Sequence, residues 1–264
     1  MMNSLWIAKT GMEAQQTNLD VISHNLANVS TTGYKKVSAQ FQDLMYQNLR
    51  QVGAQSTEQN QLPTGLQLGL GVRTAATSRN FADGGRQAST GTYDVAIDGK
   101  GFFSVTMPDG TTGYTRDGSF KVLNGQIVTN NGYPVDGGIT IPNGTSSVTI
   151  SAQGEVSVVV PPATAPTVVG TISVTTFPNP AGLEPRGQNL FTETVASGQP
   201  TAGTPGTNGI GSVMHGYLEN SNVSAVEELV TMIQAQRAYE MNSKAIQTSD
   251  QILAKLTQLR TLHL

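Results

Sequence analysis

This 264-residue chain is predicted to adopt an α+β fold. N- and C-terminal α-helices form a coiled-coil-like inner domain, a central all-β domain of short strands lies between them in sequence, and a long extended segment separates the first helix from those strands. Three observations predict it. Leu5, Met12, Leu19 and Leu26 recur every seven residues, with Ala8, Gln15, Ile22 and Val29 at the intervening positions of a heptad stripe. Ala238, Ala245, Ile252 and Leu259 repeat that spacing at the other end. Between them, short β-rich runs alternate with two-residue turn signals such as Asp109-Gly110, Asn124-Gly125 and Asn143-Gly144.

The first helix is expected over about residues 5–29, broken by Ser30-Thr31-Thr32-Gly33, where Gly33 suits a C-terminal cap. Val37, Phe41, Leu44, Met45 and Leu49 then give residues 35–50 a spacing compatible with either a second short helix or an extended arm. Residues 51–71 are polar, hold Pro63 and four glycines, and read as extended. This gives an amino-terminal helix within 1–33 and an arm over 34–89. A β domain over 90–196 follows, with its clearest strands at residues 102–105, 119–122, 126–129 and 147–150. One further strand is expected over 168–177. Residues 197–221 form a Gly/Pro/Thr-rich linker, and 222–264 hold the second helix. That helix starts at a capping residue among Asn222–Ser224, places Glu227 and Glu228 at its positive dipole end, and runs to Leu259 without Gly or Pro.

Composition excludes several function classes. Charged residues are only 12% of the chain, against roughly 25% in ordinary domains, and the 15 basic and 18 acidic residues give a net charge of −3. The surface is neutral and polar, without the basic patch that nucleic acid requires. There is no cysteine, hence no disulfide, thiolate nucleophile or Cys-type zinc site. No apolar run approaches the ~18 residues of a membrane span, and no signal-peptide pattern opens the chain. Neither membrane insertion nor a cleaved signal is expected. Sequons at Asn28, Asn143 and Asn222 are expected by chance in a chain this rich in Asn, Ser and Thr.

Motifs for chemistry are equally sparse. Gly99-Lys100-Gly101 meets neither phosphate-binding pattern, because residue 104 is Ser and no Ser or Thr follows Lys100. His24, His215 and His263 have no second ligand at metal spacing, and no Gly-x-Ser-x-Gly elbow exists. Asp94, Asp98, Asp109, Asp117 and Asp136 mostly sit at turn signals. No enzyme, metal or cofactor is expected, although linear sequence leaves a spatial carboxylate pair open. What remains is interaction chemistry. One heptad stripe buries too little apolar area to hold a helix by itself. The termini are therefore expected to be disordered in the free monomer and ordered in an assembly.

The segment Leu19-Asp20-Val21-Ile22-Ser23-His24-Asn25-Leu26-Ala27-Asn28-Val29-Ser30-Thr31-Thr32-Gly33-Tyr34-Lys35 resembles the amino-terminal signature of bacterial flagellar rod, hook and hook-associated axial proteins. Leu218-Glu219-Asn220-Ser221-Asn222-Val223, continuing through Gln236-Arg237-Ala238-Tyr239-Glu240-Met241-Asn242, resembles that family's carboxyl-terminal signature. Gly101-Phe102-Phe103, Tyr114-Thr115-Arg116-Asp117-Gly118-Ser119-Phe120 and Asn179-Pro180-Ala181-Gly182-Leu183 resemble its central β domain. Within the family, the length and residues 46–65 are most similar to the distal rod members. The departures are Val52, where Pro is common in relatives, and the unfamiliar 261–264 tail.

The resemblance implies a subunit of a rigid, straight, hollow helical homopolymer in the basal body. Its terminal helices would line a channel, its β domain would face outward, and the tube would carry torque to the hook. It implies as partners further copies of the chain, proximal rod and hook proteins, the P- and L-ring proteins, and a flagellar type III export apparatus that explains the missing signal peptide. The expected subunit-interface residues in the first helix and its exit are Leu5, Met12, Leu19, Ile22, Leu26, Asn28, Gly33 and Tyr34. Those in the arm are Tyr46, Gln51, Pro63 and Gly65, and those in the second helix are Val226, Val230, Ile233, Ala238, Met241, Ala245, Ile252, Leu256 and Leu259. The alternatives are another axial component, hook or proximal rod, or a secreted β-domain adhesin. The adhesin needs exposed aromatic clusters, yet aromatics are 6% and scattered, and the one tryptophan, Trp6, lies on the first helix.

Overall fold

A computed structural model describes residues 2–51, 55–57, 60–61, 64–162 and 165–261. It is α+β: helix α1 (Met2–Ala27) and helix α2 (Ala225–Thr261) stand at the ends, and short strands fill the region between them. The chain forms two compact units. One comprises residues 1–26, 37–78 and 225–264, and the other 27–36 and 79–224.

In the first unit α1 and α2 run antiparallel. The Asn25 amide donates to Glu228 Oε2 at 3.3 Å, and a Cβ on Gly11 would lie 2.9 Å from Asn242 Nδ2, so residues 14 apart on α1 meet residues 14 apart on α2. α1 ends at Ala27, two residues before the last stripe position expected from the sequence. Residues 35–50, for which helix and arm were both open, are extended. Val37–Asp43 pairs with Val72–Arg79, and Tyr46–Arg50 pairs with Leu66–Gly69, Tyr46 opposite Gly69. Gly71 lies where this ribbon crosses α1. Its φ is +117°, and a Cβ there would fall 2.2 Å from Thr10 Oγ1.

The second unit carries the β core. A six-stranded sheet runs in the order Glu184–Gly187, Leu190–Thr192, Thr112–Thr115, Phe102–Thr106, Val174–Thr176, Thr201–Gly203. A three-stranded sheet joins Ser147–Ile150, Glu155–Val159 and Thr167–Thr171. Val95, Phe103, Val105, Val156, Ile172 and Val174 are wholly buried in its centre. A separate aromatic cluster stacks Phe102, Tyr114, Phe177 and Phe191 edge to face, with Phe81 at its rim.

Two local features differ from the sequence reading. The single strand expected over 168–177 is two strands in different sheets. Ile172 between them donates its amide to Gly154 O at 2.7 Å and buries its side chain, which turns the chain from one sheet to the other. The Asp117-Gly118 turn signal has another cause. A Cβ on Gly118 would sit 1.6 Å from Val95 O, so glycine is needed there for close approach. Asn124-Gly125 does behave as read: both residues have positive φ and close the two-residue hairpin between Lys121–Leu123 and Gln126–Val128.

Candidate functional site

On α2 the side turned toward protein carries Glu228, Ala235, Asn242 and Ser249, with Glu228 and Ala235 buried, and the half-buried Met232, Ile246 and Leu253 lie between them. On α1 the buried positions are Ala8, Thr10, Ala14, Ile22 and Asn25. Small residues let two helices approach closely. On α2, Val226 is 72% exposed and Met241 64% exposed, and Leu229, Val230, Ile233 and Ile252 are exposed with them. Exposed large apolar side chains grouped on one element mark an interaction surface.

Of the residues expected at interfaces, Ile22 is buried, and Leu5, Met12, Leu19, Leu26 and Asn28 are half-buried. Gly33 and Tyr34 are buried. Tyr46 and Gln51 are exposed and Gly65 is half-buried, whereas Pro63, like Val52, lies outside the described residues. On α2, Val226, Val230, Ile233, Met241, Ala245 and Ile252 are exposed and Ala238 is half-buried. Leu256 and Leu259 belong to the last turns of the helix, where only the backbone is described. The ribbon displays Met45, Tyr46, Leu49, Leu66 and Leu68 to solvent.

Sequence reasoning missed the polar residues that join distant segments. In the first unit, Asn25 binds Val37 in both directions, accepting from its amide at 2.9 Å and donating to its carbonyl at 2.7 Å, a side-chain copy of a β-bridge. In the second unit, residues 33–36, 79–84 and 219–222 are knitted together mostly by side chains. The Lys35 ammonium, wholly buried, donates to Glu219 Oε1 at 2.6 Å and to Ala82 O at 2.8 Å. Asn222 accepts from the Lys36 amide at 2.6 Å and donates to Asn80 O and Ala82 O. The Gly33 amide donates to Glu219 O at 2.8 Å, and the Gly84 amide to Glu219 Oε1 at 2.9 Å. Gly33, expected to cap the helix, lies beyond its end. With φ +68° and a Cβ position 2.7 Å from the Arg116 backbone, it lets that loop through.

Arg116 completes the cluster. Its guanidinium, 3% exposed, reaches Asp83 at 3.1 Å and Gly99 O at 2.8 Å, and its Nη1 stands 3.6 Å from Glu219 Oε2. Nε and Nη1 of Arg116 and Oε2 of Glu219 have no hydrogen-bond partner among the described residues, so the Arg116–Glu219 link is Coulombic only. Burial, reinforced by the Arg116 charge, holds the Lys35 ammonium below the ordinary lysine range, against the opposing pull of Glu219. The one weak signal in the sequence is Lys35-Lys36 in a chain otherwise poor in charge.

Among the described residues no three His, Cys, Asp or Glu side chains gather as a metal site would require, and no helix is long and apolar enough to cross a membrane. One surface cleft is lined by Thr111, Tyr114, Arg186 and Glu193. The features that stand out are an apolar helical face, an exposed ribbon and an ionic knot where the two ends of the chain converge.

Three family models match in chain order. A flagella basal body rod protein model covers residues 5–35, the flagellar hook protein FlgE/F/G D1 domain covers 96–158, and the flagellar basal body rod FlgEFG protein C-terminal model covers 214–259. The chain is 52% identical over 260 residues to the flagellar basal-body rod protein FlgG of Buchnera aphidicola from Acyrthosiphon pisum, covering 98% of this chain and 100% of that one. It is 50% identical over 263 residues to the protein of the same name in Borreliella burgdorferi, covering 98% and 99%. A flagellar hook-basal body complex protein of Bacillus subtilis, FlhP, matches at 31% over 275 residues. The signature-bearing ends that meet at Lys35 and Glu219, the β body between them and this full-length identity together place the chain in the flagellar basal-body rod protein family.

Proposed function

We propose that this chain is the structural subunit of the distal rod, polymerising into a rigid, straight, hollow tube that transmits motor torque to the hook. The observation that carries the reading is the set of large apolar side chains that α2 leaves exposed, Val226, Leu229, Val230, Ile233 and Met241. A second copy is the natural cover for a long apolar helical face on a chain whose β unit already has a closed core. In such a tube the helices are the inner wall and the β unit the outer surface. The exposed ribbon of residues 46–50 and 66–69 adds contacts between neighbours that stiffen it. Further partners on this reading are the proximal rod and hook proteins at the tube ends, the P- and L-ring proteins around it, and the flagellar type III export apparatus.

Electron microscopy of the purified chain at rising concentration tests the proposal. Straight tubes are the expected result, and a monomer that persists at millimolar concentration overturns it. Removing residues 46–65 separates the distal rod from other axial parts: tubes of the shortened chain should bend, and tubes that stay straight would assign the stiffness elsewhere.

A further inference from the structure

The chain passes between its two units at four points, after residues 26, 36, 78 and 224. Residues of the ionic knot flank them: Gly33, Tyr34 and Lys36 near the first two, Arg79 to Ala82 after the third, and Glu219 and Asn222 before the fourth. The knot lies wholly within the second unit, where the Gly33 amide donates to Glu219 O, the Asn222 amide to Tyr34 O and the Lys36 amide to Asn222 Oδ1. The Glu219 carboxylate adds the buried ionic contacts to this frame. Glu219 takes Lys35 Nζ and the Gly84 amide on Oε1, faces Arg116 with Oε2, and accepts the Gly33 amide on its backbone carbonyl.

Two buried cations thus converge on Glu219, and Asp83, partly exposed, is the other acid in the cluster. Buried ion clusters add little net stability over apolar packing, but they fail when one partner is removed, because a buried charge is left without compensation. Such a cluster suits setting a unique arrangement. We propose that Lys35, Arg116 and Glu219 are positioning residues for polymerisation: a buried clasp that fixes the amino-terminal and carboxyl-terminal leads side by side before a second copy arrives. The inference rests on the polymerisation reading above. It adds that assembly competence depends on three residues that touch no neighbour, since all three are buried within one chain.

The charge balance dictates an order of effects. Glu219→Gln leaves Lys35 and Arg116 facing each other with only Asp83 to compensate, so it is the most damaging change. Lys35→Met leaves Glu219 opposite Arg116 and is milder. Lys35→Met combined with Glu219→Gln removes the stranded cation and restores part of what Glu219→Gln loses, whereas two changes at independent sites would add.

The experiment uses the full chain with two readouts, hydrogen exchange in the dilute monomer and polymer yield by sedimentation. For Glu219→Gln, exchange at the Gly33, Lys36 and Gly84 amides should accelerate by about tenfold or more while the amides of Val105 and Val156 stay protected. Polymer yield should fall with it, and the double variant should recover part of both. The inference is overturned if Glu219→Gln polymerises like the wild type, if the double variant is worse than Glu219→Gln alone, or if Glu219→Gln unfolds the β core. A wild-type chain that forms no polymer would instead refute the reading on which the inference rests.

Discussion

Asn25→Asp isolates the polar joint of the first unit with almost no change in shape. The Asn25 amide donates to Val37 O at 2.7 Å and to Glu228 Oε2 at 3.3 Å, and its oxygen accepts from the Val37 amide at 2.9 Å. An ionised carboxylate retains only the last of these and aims negative charge at a carbonyl and at a second carboxylate. At the 3.3 Å separation of Asn25 from Glu228, two like charges at an effective dielectric near 20 repel by about 5 kcal/mol. The introduced carboxyl escapes that repulsion by holding a proton, and its single O–H restores one of the amide's two donated bonds. The pH-dependent part of the cost at pH 7 is then capped at about 4 kcal/mol, the free energy of keeping an ordinary Asp protonated three pH units above its usual value.

The sign follows directly. The group's folded pKa is raised, so the unfolded chain binds fewer protons at neutral pH, and the deficit against wild type shrinks as pH falls. It should decline by about 1.4 kcal/mol per unit from pH 7 and level off close to pH 4 at about 1 kcal/mol, the cost of the one donated bond that stays lost. Urea titration followed by helical ellipticity measures it, since α1 and α2 supply nearly all the helix. The quantity compared is the wild-type minus variant difference at each pH, which cancels the acid sensitivity common to both. A difference that stays flat between pH 4 and 7, or lies below about 1 kcal/mol throughout, would refute the Asn25–Val37–Glu228 joint.

Ile252→Asp, at a half-exposed position of α2, should leave the monomer melting as wild type while abolishing tubes in sedimentation assays. Leu19→Asp, half-buried on α1, should do both kinds of damage, lowering monomer stability by about 2 kcal/mol as well. Gly118→Ala should cost more than about 4 kcal/mol in thermal unfolding of the β unit, because its Cβ overlaps Val95 O, whereas Gly132→Ala, with φ +85° and open space around it, should cost only about 1–2 kcal/mol. Lys35 gives a test in alkali. Its folded pKa lies below the ordinary 10.5, so the wild type gains stability as pH rises through that value toward 10.5, whereas Lys35→Met shows no such gain. A wild type that loses stability relative to Lys35→Met in this window would show that Glu219 outweighs burial.

Much of the architecture is legible because it is periodic. The seven-residue spacing marks both helices, and Ser147–Ile150 falls where alternation and flanking turn residues put it. The break at Ile172 is illegible, because Val168 to Phe177 alternates without interruption and only the pull of two different sheets divides it. The clasp is harder still. Lys35 and Glu219 are 184 residues apart, and neither belongs to a local pattern that periodicity can detect. What marks them is chemical: in a chain of so few charges, a lysine and a glutamate within the two end signatures have no solvent-exposed role in the folded unit.

The helix seam shows why pattern and packing part company. Heptad reading gives weight to large apolar residues, on the premise that they fill the nearest interface. In this chain the most buried positions of α2 are Glu228 and Ala235, with Met232, Asn242, Ile246 and Leu253 half-buried beside them, while Val226, Val230, Ile233 and Met241 are left outside that line. For an isolated domain that would be an error of design, since apolar area is kept from the only core available. For a subunit whose core is completed by its neighbours the arrangement is consistent. Small residues, a few polar joints and part of the apolar surface align one chain's helices, and the exposed large side chains remain for contacts that exist only in the tube. Polymerisation is then driven by burial that folding leaves unsatisfied, so the same substitution on α2 is silent in the monomer and decisive in the assembly.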